Sequence, residues 1–219
     1  MDNFKFMRDI AIYGAGGFGR EVACLLKRIN AQTPQWNLIG FLDDGKPIGY
    51  QTEYGNVLGG MEALNAVRKP LSVVMAIGNP KTVKGLVGQI NNEWVDFPNI
   101  FSPDTVFLDS ENISFGQGNV ICASCLFSCH VKVGDFNMFN GFITVGHDAQ
   151  IGNYNSLMPA TRISGEVCIG DCNFFGVASV VLQQIQIGNN TVIGANSTII
   201  RKTKDGNTYM GNPASIVKY

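Results

Sequence analysis

Residues 163–200 read ISGEVCIGDCNFFGVASVVLQQIQIGNNTVIGANSTII. Every sixth residue of this run is large and apolar: Ile163, Ile169, Phe175, Val181, Ile187, Ile193 and Ile199. Stepping backwards by six meets Leu157, Ile151, Val145, Phe139, Val133, Phe127, Ile121 and Phe115, so fifteen positions keep the phase. In a chain that is 45% apolar, chance does not give such a run. Glycine follows eight of them, at Gly116, Gly134, Gly146, Gly152, Gly170, Gly176, Gly188 and Gly194. Two residues before them, small or β-branched side chains prevail, as at Val131, Ala149, Thr161, Val167, Ser179, Thr191 and Ser197.

A six-residue period is the signature of a parallel β-helix. One bulky inward residue per hexad, with a bend at the glycine, winds short strands into a three-sided prism. Three hexads make one coil, and fifteen make five coils, a rod about 24 Å long at ~4.8 Å per coil. A β-sandwich would instead alternate with period 2 between turn clusters about every 8–12 residues. Crossovers between parallel strands are normally right-handed, and the period alone does not overrule that.

Upstream, the pattern changes. Residues 9–13 form a short apolar strand that runs into Gly14-Ala15-Gly16-Gly17-Phe18-Gly19, and a helical stretch follows through Arg20–Arg28. This fits G-x-G-x-x-G between a strand and a helix, which brings backbone N–H groups and a helix N-terminus to a phosphate or diphosphate. A second strand, Trp36–Leu42, ends in Asp43-Asp44-Gly45. Acids at that place hold a ribose hydroxyl in nucleotide-binding folds; the alternative is a plain turn. A third strand, Leu71–Ile77, enters Gly78-Asn79-Pro80 and a helix over 81–90, and Trp94–Ile100 leads towards the coils. Alternating strands and helices predict a small Rossmann-like parallel α/β domain over 1–103, followed by a β-helix domain over 104–219. One half of a dinucleotide fold fits in that length. A nucleoside diphosphate needs only one half, whereas a nicotinamide beside a substrate needs more.

The net charge of −1, without a basic block, argues against nucleic acid as a partner. No apolar run reaches membrane-spanning length and Met1–Ile10 does not read as a leader, so the expected place is the cytoplasm. Cys122-x-x-Cys125 with Cys129 resembles half a zinc ribbon, but the three fall at different phases of the hexad and cannot converge. No metal is expected.

Two histidines are available, His130 and His147. His147 lies two residues past an inward position, at a solvent-facing corner, and Asp148 beside it can fix its tautomer. A histidine so placed is a candidate general base; the alternative is a solvated surface residue. One coil further on, Gly165 exposes a backbone N–H that an oxyanion can use. His130 lacks an adjacent acid and reads as structural or incidental. No cysteine or serine lies beside His147 in sequence, which favours direct transfer between two bound substrates.

These stretches, with Phe41-Leu42-Asp43-Asp44, Ala76-Ile77-Gly78-Asn79, Ile163-Ser164-Gly165 and the closing Gly211-Asn212-Pro213-Ala214, resemble the bacterial nucleotide-sugar N-acetyltransferases and sialic acid O-acetyltransferases. The resemblance covers almost the whole chain. It implies a left-handed β-helix, a homotrimer, and acetyl-CoA in the groove between neighbouring β-helices. It implies His147 as base, Asp148 as its support and Asn140 as a positioning group. It also implies that the Gly165 amide holds the thioester carbonyl, and that Gly176, Val177, Gly194 and Ala195 line the pantetheine arm. Gly14, Gly16, Gly17, Phe18 and Gly19 would take the diphosphate; Asp43, Asp44, Ile77, Gly78 and Asn79 would take the nucleoside. Two departures stand out: Phe18 and Ser156 occupy positions where such proteins often carry histidine.

The expected reaction is acetyl transfer from acetyl-CoA to the amino group of a UDP-linked amino sugar. Alternatives are O-acetylation of a sialic acid or another sugar hydroxyl, and a non-catalytic trimeric sugar-nucleotide scaffold.

Overall fold

The structure is a computed structural model, and it describes residues 7–217. The first residues of the N-terminal stretch read above lie outside them.

The N-terminal unit has a sheet of order β3-β4-β2-β1-β5-β6. Its strands are β1 (Arg8–Tyr13), β2 (Trp36–Leu42), β3 (Gln51–Thr52), β4 (Gly55–Gly59), β5 (Leu71–Met75) and β6 (Val95–Asp96). All pairings are parallel except β3 with β4. Among the described residues three α-helices accompany them: α1 (Gly17–Gln32), α2 (Met61–Asn65) and α3 (Pro80–Val87). Helix α1 buries Val22, Ala23, Leu25, Leu26 and Ile29, a helical stripe laid on Ile10, Ile12 and Phe41. The hairpin β3–β4 and α2 fill a stretch, 46–70, to which the sequence reading assigns nothing. Their strands are short and rich in glycine and polar residues, so no period shows.

The rest is the prism. The first face stacks Ile100–Phe101, Val120–Ile121, Met138–Phe139, Ser156–Leu157, Phe174–Phe175 and Val192–Ile193. The second stacks Val106–Phe107, Leu126–Phe127, Thr144–Val145, Arg162–Ile163, Val180–Val181 and Thr198–Ile199. Ser114–Phe115, Lys132–Val133, Gln150–Ile151, Cys168–Ile169 and Gln186–Ile187 make the third. All these pairs are parallel, offset by 18 residues from Ser114 onward and by 20 where Ile100 and Val106 join. The first rungs are therefore out of step with a strict six-residue count, and the period misses them.

The β-helix is left-handed, contrary to the general rule for crossovers. Each face ends in a two-residue turn whose second residue has positive φ, from Ser124 (59°) and His130 (54°) through Asp148 (57°) to Asn196 (53°). The tight left-handed residue at each corner from Gly118 to Asn196, and not a long crossover segment, sets the course of this chain. Fourteen of the fifteen inward residues are buried; Phe115, at the open first coil, is partly so and joins Phe101, Phe107 and Phe127 in an edge-to-face cluster. At the other end, the hairpin Thr208–Gly211 with Ala214–Val217 closes the core with Tyr209.

Polar ladders reinforce the stack. Asn119, Asn137, Asn155 and Asn173 are buried one coil apart. The Asn155 Nδ2 donates to Asn137 Oδ1 (3.0 Å) and to the Gly170 carbonyl (2.9 Å), while its Oδ1 accepts from the Asn173 backbone N–H (2.9 Å). Asn155→Ala orphans several of these buried groups at once. It is expected to cost about 2–4 kcal/mol, read as a fall in the urea midpoint at fixed protein concentration. A parallel column explains five glycines: a Cβ at Gly116, Gly134, Gly152, Gly170 or Gly188 would strike the side-chain oxygen of Asp135, Asn153, Asp171, Asn189 or Asp205.

The N-terminal unit sits on the first face. Ile100 and Val120 join the α1 core, and Arg28 pairs with Asp104 at 3.3 Å on one edge. On the other edge Phe97 meets Phe136 (5.0 Å), Phe136 stacks on Tyr154, and Lys84 lies over Tyr154. The corner after the second face is thus the apex away from this unit.

Six cysteines are free. Cys122 lies beneath α1, Cys125 inside the prism and Cys129 on the second corner, three separate environments. Burial pushes the Cys122 thiol up to about 12 and Cys125 to about 11, so neither ionises near neutral pH.

Candidate active site

The corner after the second face carries 128–130, 146–148, 164–166 and 182–184 in successive coils. His147 and Asp148 are its turn residues in their coil. The His147 Nδ1 and Asp148 Oδ2 are 2.8 Å apart, and both side chains are about half exposed (51% and 55%). The carboxylate thus accepts from Nδ1–H and leaves Nε2 free to take a proton. The imidazole lies over Gly165: a Cβ there would come within 2.5 Å of His147 Nε2. Space, not backbone conformation, requires glycine at 165. Its N–H donates no hydrogen bond within the described residues, while its carbonyl accepts from Gln184.

The neighbours come from adjacent coils. Glu166 N–H donates to the His147 carbonyl, and Asp148 N–H donates to the Cys129 carbonyl. The Glu166 carboxylate accepts from Gln184 and Gln183, both at 3.1 Å, and these bonds, then the nearby His147, hold its pKa below the usual range. Cys129 stands one coil before His147, so the sequence argument that no cysteine lies beside the base holds along the chain and not in space. His130 stands one coil before Asp148, and the two share a small cleft with Lys132 and Gln150. His130, 17 residues before His147, is legible in the sequence as close to one coil away; Cys129 follows from subtracting 18 from His147, the same step that leads forward to Gly165.

The other expected catalytic and coenzyme residues lie elsewhere. Asn140, Gly176, Val177, Gly194 and Ala195 are all on the corner after the first face, so one chain does not bring them to its own His147. Ser156 is buried on the first face, at neither corner. Between α1 and the first corner lies a cleft of about 720 Å³, lined by Gly17, Arg20, Glu21, Tyr54, Asn140 and Phe142 among others.

A second cleft, about 460 Å³, opens at the glycine loop. Gly14, Gly16, Gly17, Phe18, Asp43, Asp44 and Ile77 line it. Gly19 does not; it lies against the Gly14 carbonyl, where a Cβ would sit 1.9 Å away. Asn79 caps α3 by accepting from Thr82 N–H at 3.1 Å, and neither it nor Gly78 lines the cleft. The two acids are busy within the fold. Asp43 accepts from the backbone N–H of Ala15 (2.8 Å) and Gly45 (2.9 Å); Asp44 accepts from Met61 N–H (2.8 Å) and from the Tyr13 hydroxyl. Burial and then Asp44 push the Tyr13 phenol well above its ordinary value, keeping it a donor. In this geometry Asp43 and Asp44 first of all shape the loop. Gly17 lines both clefts, so a ligand can lie across the N-terminus of α1 with one end in each.

The profile of the PglD N-terminal domain matches residues 9–90. Solved structures match nearly the whole chain. The acetyltransferase domain of PglB from Neisseria gonorrhoeae FA1090, in complex with acetyl coenzyme A, is 27% identical, with a TM-score of 0.87 over 96% of this chain and 100% of that one. WeeI from Acinetobacter baumannii AYE is 28% identical, with a TM-score of 0.85 over the same shares. The N-terminal unit thus matches that domain family, and the whole chain shares the fold of a hexapeptide-repeat acetyltransferase. PerB from Caulobacter crescentus, in complex with CoA and GDP-perosamine, shares the fold at 24% identity, with a TM-score of 0.84 over 96% of this chain and 97% of that one. No curated protein matches significantly. Among the described residues, no helix of this chain is long and apolar enough to cross a membrane.

Proposed function

We propose that this acyltransferase moves the acetyl group of acetyl-CoA onto the amino group of a UDP-linked amino sugar, with His147 as the general base. The observation that carries the reading is His147 itself, half exposed, fixed by Asp148 and laid over Gly165. The likeness to an acetyltransferase domain in complex with acetyl coenzyme A supplies the donor.

The amine lone pair attacks the thioester carbonyl while Nε2 of His147 takes the amine proton. The Gly165 N–H receives the carbonyl oxygen as it becomes an oxyanion. The intermediate collapses, the C–S bond breaks, and His147 returns its proton to the departing CoA thiolate. Asp148 keeps the ring in the tautomer that this needs.

The site is completed between copies of the chain in a homotrimer. His147 is at the apex opposite the N-terminal unit of its own chain, whereas Asn140 lies beside that unit's cleft. A sugar nucleotide held by one glycine loop therefore meets the imidazole of a neighbour. The corners that must approach carry exposed apolar side chains: Phe142 and Val177 on the first, Leu182 and Ile200 on the second. Gly176, Val177, Gly194 and Ala195 then face the coenzyme from the neighbour's side.

The test offers UDP-, GDP-, dTDP- and CMP-linked amino sugars with acetyl-CoA and follows thiol release. The fastest release is expected with a UDP-linked amino sugar. Release with a sialic acid and with no amino sugar would replace N- by O-acetylation.

A further inference from the structure

One face of α1 looks into the larger cleft. Gly17, Arg20, Glu21, Cys24 and Arg28 line it, at the i, i+3, i+4 spacing of a single helical stripe. Four residues of the lining carry charge, and three of these are engaged within the fold. Arg20 pairs with Glu53 at 4.0 Å, and Arg28 pairs with Asp104 at 3.3 Å. Glu21 stands apart: among the described residues its carboxylate has neither an ion pair nor a hydrogen bond. It is turned to the floor of the cleft, since burial, then Cys125, then Glu21 push the Cys122 thiol up. The smaller cleft offers no second free acid, because Asp43 and Asp44 are taken up by backbone N–H groups and the Tyr13 hydroxyl.

The helix itself gives no reason for an acid at this position. Glu21 lies past the first turn of α1, beyond the reach of the dipole that makes carboxylates favourable there. Its place along the cleft does give one. Gly17 lines both clefts, and Glu21 is one helical turn further along the same face, ~5.4 Å away. A sugar hanging from a diphosphate at the glycine loop covers that turn on its way towards Asn140. Glu21 therefore meets the substituents of the sugar and not the phosphates.

An unpaired carboxylate this close to a diphosphate repels a ligand that is negative along its whole length. It suits a ligand whose sugar carries a positive charge, and an aliphatic amine is protonated at neutral pH. We infer that Glu21 receives the ammonium group of the acceptor sugar, and so selects an amino sugar over its hydroxyl and carboxylate counterparts. This rests on the sugar-nucleotide reading above and adds to it the residue that favours N- over O-acetylation. The held ammonium gives one proton to solvent before its lone pair can attack, and the second leaves through His147 as described. The carboxylate therefore adds affinity for the acceptor and not rate.

The test measures binding by calorimetry without acetyl-CoA, in the wild type and in Glu21→Gln, which keeps the shape and removes the charge. Each ligand pair is a nucleotide-linked amino sugar and the same molecule with a hydroxyl in place of the amine, offered with each of the four nucleotides above. The wild type should hold the amine about tenfold or more tighter, the scale of one charge-assisted bond. Glu21→Gln should hold both members alike, with the Kd of the hydroxyl ligand unchanged. In turnover the variant should raise the KM for the amino sugar to the same extent without lowering kcat. An amine preference that survives in Glu21→Gln, or is missing from the wild type, overturns the inference, as does an equal loss for both ligands. Thiol release reads acetyl transfer separately. A wild type that shows the Glu21-dependent preference but releases no thiol keeps the inference and sinks the acetyl-transfer reading, whereas one that binds none of the pairs sinks both.

Discussion

His147→Ala is expected to lower kcat by at least ~10²-fold, the usual scale for losing a general base, with the thermal midpoint unchanged. The side chain is half exposed and supports no buried contact, so its removal leaves the prism intact. The loss should fall on kcat, because the ring acts when the amine proton must leave as the C–N bond forms. Two companions sharpen the result. Gly165→Ala keeps the imidazole but places a methyl group against Nε2, and should also lower kcat by displacing the ring. His130→Ala, one coil below Asp148, should stay within a few-fold of wild type. Activity of His147→Ala near the wild-type level would remove the imidazole from the chemistry.

The prism was legible because the inward residue of each hexad has no other role: Ile163, Phe175 or Ile193 is large and apolar whatever surrounds the coil. The first rungs were not, since Ile100 and Val106 join at an offset of 20 residues. The asparagine column at 119, 137, 155 and 173 escaped a search for small or β-branched residues, because its side chains are satisfied only by the coils above and below. At the site, the pairing of His147 with Asp148 is local and could be read from adjacency. His130 could be placed close to one coil away by counting, whereas Cys129 needed the 18-residue step taken backwards from His147. The work done by Asp43 and Asp44 was hidden, because their partners, Ala15, Tyr13 and Met61, are distant in sequence. Handedness is absent from the period itself. So is the choice of face for the N-terminal unit, which depends on how Phe97, Ile100 and Phe136 dock.

That choice of face leads to the second large effect. If each site takes its imidazole from one copy and its glycine loop from the next, two inactive chains should restore each other. Gly17→Asp serves as the loop-blocked partner. Gly17 opens α1 and a Cβ there meets nothing within 4 Å, so the substitution fits, yet it sets a carboxylate where the diphosphate must lie. Alone, Gly17→Asp and His147→Ala trimers should each be nearly inactive. Co-expressed in equal amounts, they form mixed rings in which a site is whole only when an intact imidazole faces an intact loop. Random assembly into a closed ring makes that about one site in four, so roughly a quarter of the wild-type rate should return. A site contained in one chain would regain nothing, since neither chain has both parts. Failure to recover any activity, in mixed trimers verified by mass, would therefore place the sugar nucleotide and the base in the same chain. The N-terminal unit would then have to leave the first face, breaking the contacts of Ile100, Val120 and Phe136 with its core.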